Sequence, residues 1–373
     1  MKYYLIAGEA SGDLHGANLM KALKLQDANA IFRYWGGDLM KEVSGDPVKH
    51  YRELAFMGFV EVLFNLSTIF KNITLCKKDI DTFKPDVIIF IDYPGFNMRI
   101  AKWAKLNNYR THYYISPQIW AWKEGRIASI KRDVDAMYVI LPFEKAFYEE
   151  KHNFPVHFVG HPLIDAIANK ELVNPITFKK ENGLDDRPIV ALLPGSRKQE
   201  ISKMLAVMLS VVDNFKEYQF VIAGAPSQEA EFYASYIQRQ NVHLLLNKTY
   251  DLLSISTAAL VTSGTATLET ALFKVPQVVC YKGNRISYEI AKRVITLKYI
   301  SLVNLILDKE VVTELIQTDF NTIRLENELA KILDPDQRAK LFLEYYNLEQ
   351  KLGGKGASEK TAKLIYHKLI QPE

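Results

Sequence analysis

Asp92 closes the apolar run Val87-Ile88-Ile89-Phe90-Ile91 and is followed by Tyr93-Pro94-Gly95-Phe96-Asn97. A carboxylate ending such a strand belongs at the carboxyl edge of a sheet, where a general base can take a proton from a bound hydroxyl. The plainer alternative is a cap on the helix that follows. A second acidic turn, Gly8-Glu9-Ala10-Ser11-Gly12-Asp13, follows the apolar stretch 3–7. Its glycines fall every fourth residue, unlike the G-x-G-x-x-G dinucleotide fingerprint. They still let a ligand approach the backbone, with Glu9 facing it, or else the turn is a plain strand-to-helix junction with Asp13 as the helix cap.

Two further turns suit an anion. Ser263-Gly264-Thr265 precedes a helical spacing of Ala266, Leu268, Ala271 and Leu272, which Pro276 ends before another apolar stretch. A helix start offers unpaired amides and a partial positive charge, and Gly264 allows a phosphate to come close. Ser263, Thr265 and Thr267 add hydroxyl donors, and Glu269, one turn on, can accept from ribose hydroxyls. Arg197, at the end of Leu192-Leu193-Pro194-Gly195-Ser196, can hold two diphosphate oxygens with its planar fork. An ordinary N-cap and a solvated arginine are the bland alternatives.

Apolar surface is the third ingredient. Trp120 and Trp122, in Ser116-Pro117-Gln118-Ile119-Trp120-Ala121-Trp122, can stack on sugar rings, line an acyl groove or fill an interdomain core. Phe56, Met57, Phe59, Val60 and Phe64 continue through Leu66, Ile69 and Phe70 around most of a helix, with Lys71, Lys77 and Lys78 following. That pattern fits a lipid-chain groove, a surface dipping into a bilayer, or core packing. Arg285, Lys292, Arg293 and Lys298, beside Ile286, Ile290, Val294 and Ile295, form a second basic and apolar set.

Other chemistries find little support. Asp133-Val134-Asp135 spells a D-x-D but precedes a strand, at the sheet's amino end, and is expected to be surface capping. Among the eight histidines only His157 and His161 are spaced H-x-x-x-H, and His157 falls in the predicted strand 156–159 and not on a helix; no metal or other cofactor is expected, and neither a G-x-S-x-G elbow nor a Walker lysine is present. A net charge of +4 does not argue for nucleic acid. Two distant cysteines, Cys76 and Cys280, suggest a reducing compartment. Met1-Lys2 leads straight into a strand without a signal peptide, and no run reaches the roughly 20 apolar residues of a membrane span. The expectation is a soluble cytoplasmic protein.

These turns need a scaffold that brings strand ends together. Strands are predicted at 3–7, 31–35, 87–91, 111–115, 136–141 and 156–159, with helices at 13–25, 97–106, 119–131 and 144–151 among them. The rhythm restarts at Pro188 with strands at 189–193, 219–223, 243–246, 258–261 and 277–281. A connection rich in turn residues spans 165–187. At 373 residues the chain suits two α/β domains of about 150 to 200 residues each, Rossmann-like and facing one another, with ligands in the cleft at the strand ends. The boundaries are placed at 1–165, completed by the C-terminal helices 345–373, and at 166–344. Residues 326–352 read as helix, Gly353-Gly354-Lys355-Gly356 breaks it, and 357–370 is a last helix.

Taken in order, these motifs resemble the lipid-A-disaccharide synthases, inverting glycosyltransferases of the GT-B fold. The matching stretches are 8–13, 53–63, 84–87 with 91–97, 116–122, 141–148 (L-P-F-E-K-A-F-Y), 160–162 (G-H-P), 192–197, 263–269 and 301–305 (S-L-V-N-L). The resemblance covers essentially the whole chain. It implies transfer of 2,3-diacylglucosamine from UDP onto the 6-hydroxyl of 2,3-diacylglucosamine 1-phosphate (lipid X), without a metal, giving the β-1,6 disaccharide. Asp92 then stands as the base, and Glu9 is its catalytic companion. Ser11, Phe56, Met57, Phe59, Val60, Phe64, Trp120 and Trp122 lie on the acceptor and lipid side. Arg197, Ser263, Gly264, Thr265, Glu269 and Asn304 lie on the nucleotide side. Gly95 stands where some relatives carry a second aspartate, leaving Asp92 the sole carboxylate candidate on its loop. The resemblance also implies a peripheral site on the cytoplasmic face of the inner membrane and pairing of two chains through the C-terminal segment. The rival readings are a GT-B enzyme of another UDP-sugar, such as a UDP-GlcNAc 2-epimerase or a peptidoglycan glycosyltransferase, and a membrane module that binds nucleotide without turnover.

Overall fold

The computed structural model describes residues 1–54, 66–284 and 297–371. Phe56, Met57, Phe59, Val60 and Phe64 lie outside the described residues, as do Arg285, Lys292 and Arg293 of the second basic set. The chain divides into two compact units, 1–166 with 352–373, and 167–351.

Among the described residues the strands form two parallel sheets. The first contains β1 (Lys2–Ala7), β2 (Ile31–Gly36), β3 (Lys49–His50), β4 (Val87–Ile91), β5 (Thr111–Tyr114), β6 (Ala136–Val139) and β7 (His157–Phe158). Their order is β3-β2-β1-β4-β5-β6-β7. The second contains β8 (Ile189–Leu193), β9 (Gln219–Gly224), β10 (Val242–Leu246), β11 (Ala258–Thr262), β12 (Gln277–Tyr281) and β13 (Glu314–Ile316), ordered β10-β9-β8-β11-β12-β13. Both orders run outward from the first strand of the unit and then reverse, the doubly wound arrangement of a Rossmann fold.

Helices cover both faces of such a sheet, so its strands are apolar without alternation. All five residues of β4, β8 and β11 are buried. In the second unit the alternate faces feed separate cores. Val190, Leu192, Phe220, Ile222 and Leu260 pack on one side, and Ile189, Ala191, Leu193, Val221 and Val261 on the other.

Several local expectations change. Residues 119–131 do not form one helix: Ile119 N–H turns back to the Pro117 carbonyl (2.7 Å), Lys123 is left-handed (φ 60°), and helix runs only over Ile127–Asp133 after a short 3-10 turn. The tryptophans therefore stand on a loop. The helix expected from 326 breaks at Asp334-Pro335, because proline has no amide hydrogen to continue it. Helices Thr322–Leu333 and Pro335–Lys351 result, and Asp334 Oδ1 accepts from the Asp336 and Gln337 amides. The last helix, Ala357–Ile370, returns to the first unit and packs against Ala10–Gln26, with Asp165 accepting from the Gly356 and Ser358 amides.

Candidate active site

In a doubly wound sheet the crevice opens where the strand order reverses, because the loops on either side of that point leave in opposite directions. In the first unit this point lies between β1 and β4, whose last residues, Ala7 and Ile91, are register partners. The next residues are Gly8-Glu9 and Asp92. The two acidic turns thus share one crevice.

Asp92 (φ 45°) and Tyr93 (φ 49°) are both left-handed, a conformation that costs a non-glycine residue about 1 kcal/mol or more. Packing and hydrogen bonds hold them there. The Asp92 carbonyl accepts from Tyr113 Oη–H (2.6 Å) and Asn97 Nδ2–H (2.7 Å), and the Asp92 amide donates to the Tyr114 carbonyl (3.1 Å). Asn97 is fully buried and reaches Ile6 and Ile91 carbonyls as well. The Asp92 carboxylate does not cap the Pro94–Leu106 helix, whose N-cap is Tyr93 without a side-chain bond. Burial and the neighbouring Glu9 carboxylate raise its pKa from 3.8 to about 6, against a Tyr93 amide bond that lowers it.

Glu9 is exposed, at the N-cap position of Ala10–Gln26, and its side chain makes no cap bond; Ser11 is exposed beside it. Asp13 caps a different helix from the one expected. It is buried and accepts from the Gly37 (2.7 Å), Leu39 (3.0 Å) and Met40 (3.1 Å) amides, closing the N-terminus of Asp38–Ser44. Gly8 has a steric reason: a Cβ there would lie 2.3 Å from the Tyr93 ring. Gly8→Ala is expected to displace the Tyr93 ring, and with it Asp92, lowering stability by about 1 to 3 kcal/mol. An unchanged melting temperature would show that the ring gives way without strain. A Cβ at Gly95 meets nothing within 4 Å, so space does not forbid an aspartate there.

At the next strand end, Trp120 is half-buried, edge-on to Phe143 (ring centroids 4.8 Å apart), and Trp122 is 48% exposed with Lys123 Nζ 3.8 Å from its ring centroid. The D-x-D pair is at the amino end of β6, as read. Asp133 is buried and paired with Arg132 (2.6 Å), however, and Asp135 binds Thr111 and Lys105, so the pair organises the sheet edge and does not merely cap the surface. A cavity of about 390 Å³ opens at that same amino edge, lined by Lys105, Arg110, His112, Asp135 and Lys368. Its lysines lie at the C-terminal ends of Pro94–Leu106 and Ala357–Ile370, where cations offset the helix dipole.

The second unit repeats the geometry. Its order reverses between β8 and β11, with Leu193 and Val261 in register. The residues beyond are Pro194–Arg197 and Ser263–Thr265, so Arg197 and the expected anion-binding turn leave neighbouring strands. Gly264, at φ 131°, is the N-cap of Thr265–Leu272, and no atom would lie within 4 Å of a Cβ there. Its carbonyl is taken by Thr267, amide (3.1 Å) and hydroxyl (2.8 Å) alike, so Thr267 is a structural buttress and not a ligand donor. Arg197 is exposed at the N-cap of Lys198–Met208. Glu269 is half-buried, and burial raises its pKa while the Tyr250 hydroxyl, donating to Oε1 at 2.7 Å, opposes the rise.

Asn304 departs from the expected pattern. It is fully buried; its Nδ2 donates to the Val312 carbonyl and Glu314 Oε1, and its Oδ1 accepts from the Val311 and Val312 amides. With both ends of its side-chain amide occupied within the protein, it shapes the loop into β13. Asn97, Tyr113, Glu144 and Tyr250 are the site-shaping residues that sequence reasoning passed over. Asn97 and Glu144 did stand inside motifs already noted, whereas nothing local marks Tyr113 or Tyr250.

The family model described as lipid-A-disaccharide synthetase matches residues 3–366. The chain belongs to the lipid-A-disaccharide synthase family. It is a glycosyltransferase of lipid A biosynthesis, with the lipid-A-disaccharide synthase activity of that family. A lipid-A-disaccharide synthase of Syntrophus aciditrophicus is 39% identical over 366 residues, covering 96% of this chain and 95% of that one. The same enzyme of Geobacter metallireducens is 38% identical over 377 residues (98% and 96%), and that of Coxiella burnetii 37% over 372 (98% of each). Among solved structures, the chain is similar to the Staphylococcus aureus MnaA–UDP co-structure (TM-score 0.68, 16% identity, 100% and 98% covered). It is also similar to the UDP-GlcNAc 2-epimerase of Neisseria meningitidis bound to UDP-GlcNAc (TM-score 0.65, 14%, 100% of each). At those identities the likeness speaks for the GT-B fold alone, and the family assignment, not the epimerase fold match, carries the activity.

Proposed function

We propose that the synthase reaction runs with Asp92 as general base in the first unit and with Arg197 and the Ser263–Thr265 helix start holding the UDP diphosphate in the second. The family implies UDP-2,3-diacylglucosamine and lipid X as substrates. Inversion requires the acceptor oxygen to attack the anomeric carbon opposite the departing UDP. The C–O bond to the acceptor forms as the bond to the diphosphate breaks, and the 6-hydroxyl proton passes to the Asp92 carboxylate. The observation that carries this reading is Asp92 at the reversal point of the first sheet, desolvated beside Glu9, with a pKa of about 6. A carboxylate so placed is a stronger base than ordinary aspartate and is still ionised at neutral pH. On the leaving-group side, free amides at the start of Thr265–Leu272 and the Arg197 guanidinium stabilise charge on the diphosphate. Glu269, braced by Tyr250, accepts from ribose hydroxyls.

The direct test mixes purified protein with UDP-2,3-diacylglucosamine and lipid X in detergent, with and without EDTA, and reads products by mass spectrometry. A tetraacyl disaccharide phosphate formed equally in both arms is the expected result. UDP binding without disaccharide would defeat the substrate assignment, and loss of product with EDTA would defeat metal independence.

We also propose peripheral contact with the cytoplasmic face of the inner membrane. No described helix is long and apolar enough to cross a membrane. Leu66–Phe83, however, carries Phe70 59% exposed and Leu75 43% exposed, with Lys71 and Lys78 exposed on the same helix. Apolar side chains among lysines suit an anionic lipid surface. Co-sedimentation with anionic vesicles is expected to fall severalfold in Phe70→Ser/Leu75→Ser, and unchanged binding would place the contact elsewhere. Pairing of two chains through the C-terminal segment, the remaining family expectation, would appear in light scattering as twice the 42.7 kDa chain mass.

A further inference from the structure

Among the described residues, Glu144 is the most heavily engaged carboxylate near the carboxyl edge of the first sheet. It is 1% exposed and lies on Pro142–Ala146, just beyond β6. Oε2 accepts from the Ile140 (3.1 Å) and Leu141 (2.9 Å) amides, which is what capping its own helix requires. Oε1 has a different task. It accepts from Ser116 Oγ–H (2.6 Å) and Trp120 Nε1–H (3.1 Å), both on the loop that leaves β5. Three of these four donors are N–H groups with no acceptor capacity, which favours the ionised carboxylate against the burial that raises its pKa. Tyr148 Oη donates to the Pro117 carbonyl (3.3 Å) of the same loop. The loop that presents Trp122 is therefore tied to the end of β6 largely through one oxygen. β5 neighbours β4, and Glu144 is among the charges acting on Asp92.

We propose that Glu144 is a positioning residue: its buried carboxylate clamps the Ser116–Trp122 loop beside Asp92, setting where the acceptor sugar lies and adding negative charge behind the base. This rests on the assignment of Asp92 as base and of the tryptophan loop to the acceptor. A cap alone would leave Oε1 free. Ligating the neighbouring loop with a side chain that cannot reach solvent couples acceptor binding to the proton affinity of the base.

The test is Glu144→Gln in the full chain, assayed with both lipid substrates across pH, with UDP affinity measured separately by calorimetry. The acceptor KM is expected to rise about tenfold, as for the loss of a charge-assisted buried hydrogen bond, while UDP affinity stays unchanged. The acid limb of kcat/KM is expected to move to lower pH, because a negative charge acting on Asp92 has gone. A purely structural role would not move that limb. If Glu144→Gln does not fold, Ser116→Ala/Trp120→Phe removes two donors and keeps the charge: acceptor KM should rise and the acid limb should stay. Wild-type acceptor KM in the folded variant, or an unmoved limb in Glu144→Gln, overturns the proposal. Absence of disaccharide from wild type would instead strike the underlying functional reading.

Discussion

Asp92→Asn is expected to lower turnover by about 10²- to 10⁴-fold, the usual contribution of a positioned general base, while leaving UDP affinity intact. Asparagine accepts the left-handed backbone at φ 45° as readily as aspartate, so the loop keeps its shape and only the proton acceptor is lost. In the wild type, kcat/KM should fall as pH drops through about 6, where the carboxylate takes up a proton, and this limb should vanish from the residual activity of the variant. The same substitution is expected to stabilise the fold. Asp92 titrates at its ordinary 3.8 when unfolded and at about 6 when folded. Between those values the folded protein binds more protons than the unfolded chain, so stability decreases as pH rises from 3.8 to 6, and the full cost persists above 6. That cost is about 3 kcal/mol at most, and a carboxamide does not incur it. A thermal scan at pH 7.5 should show a higher Tm for Asp92→Asn than for wild type, and at pH 3.5 the difference should disappear. Normal turnover in the variant would remove Asp92 as the base, and equal melting at pH 7.5 would show that its desolvation is relieved by other means.

Arg197→Ala is expected to weaken UDP binding by about 10- to 100-fold, the range for hydrogen bonds to a charged group. The side chain is exposed at a helix start, and it leaves the strand neighbouring the one that carries Ser263–Thr265. Truncation should therefore have little effect on stability, and calorimetry with UDP reads the ligand term directly. Arg197→Lys should recover only part of the affinity, because a point charge cannot grip two oxygens in the plane of a guanidinium fork. Raising salt should narrow the gap between wild type and Arg197→Ala. An unaltered UDP Kd in Arg197→Ala would leave the diphosphate to the Gly264 helix start alone.

What the residues determined by themselves was local. Apolar runs such as Val87–Ile91 and Ile189–Leu193, each bounded by turn residues, are strands wherever they are placed, and their lack of alternation already spoke for parallel sheets covered on both faces. Asp92 and the Ser263–Thr265 turn were recognisable because they sit directly at the ends of such runs. Tertiary structure decided everything that depends on which strands become neighbours. Glu9 and Asp92 share a crevice because β1 pairs with β4, and Arg197 lies next to Ser263–Thr265 because β8 pairs with β11. Strand order is a long-range choice that no window of sequence records. The same holds for Asp13, which closes a helix beyond the next strand, and for Asn304, whose side-chain amide is fully bonded to Val311, Val312 and Glu314. A polar residue's type states what it can bond. Only the packed chain states whether those bonds are already made, because burial obliges each donor and acceptor to find a partner within the protein.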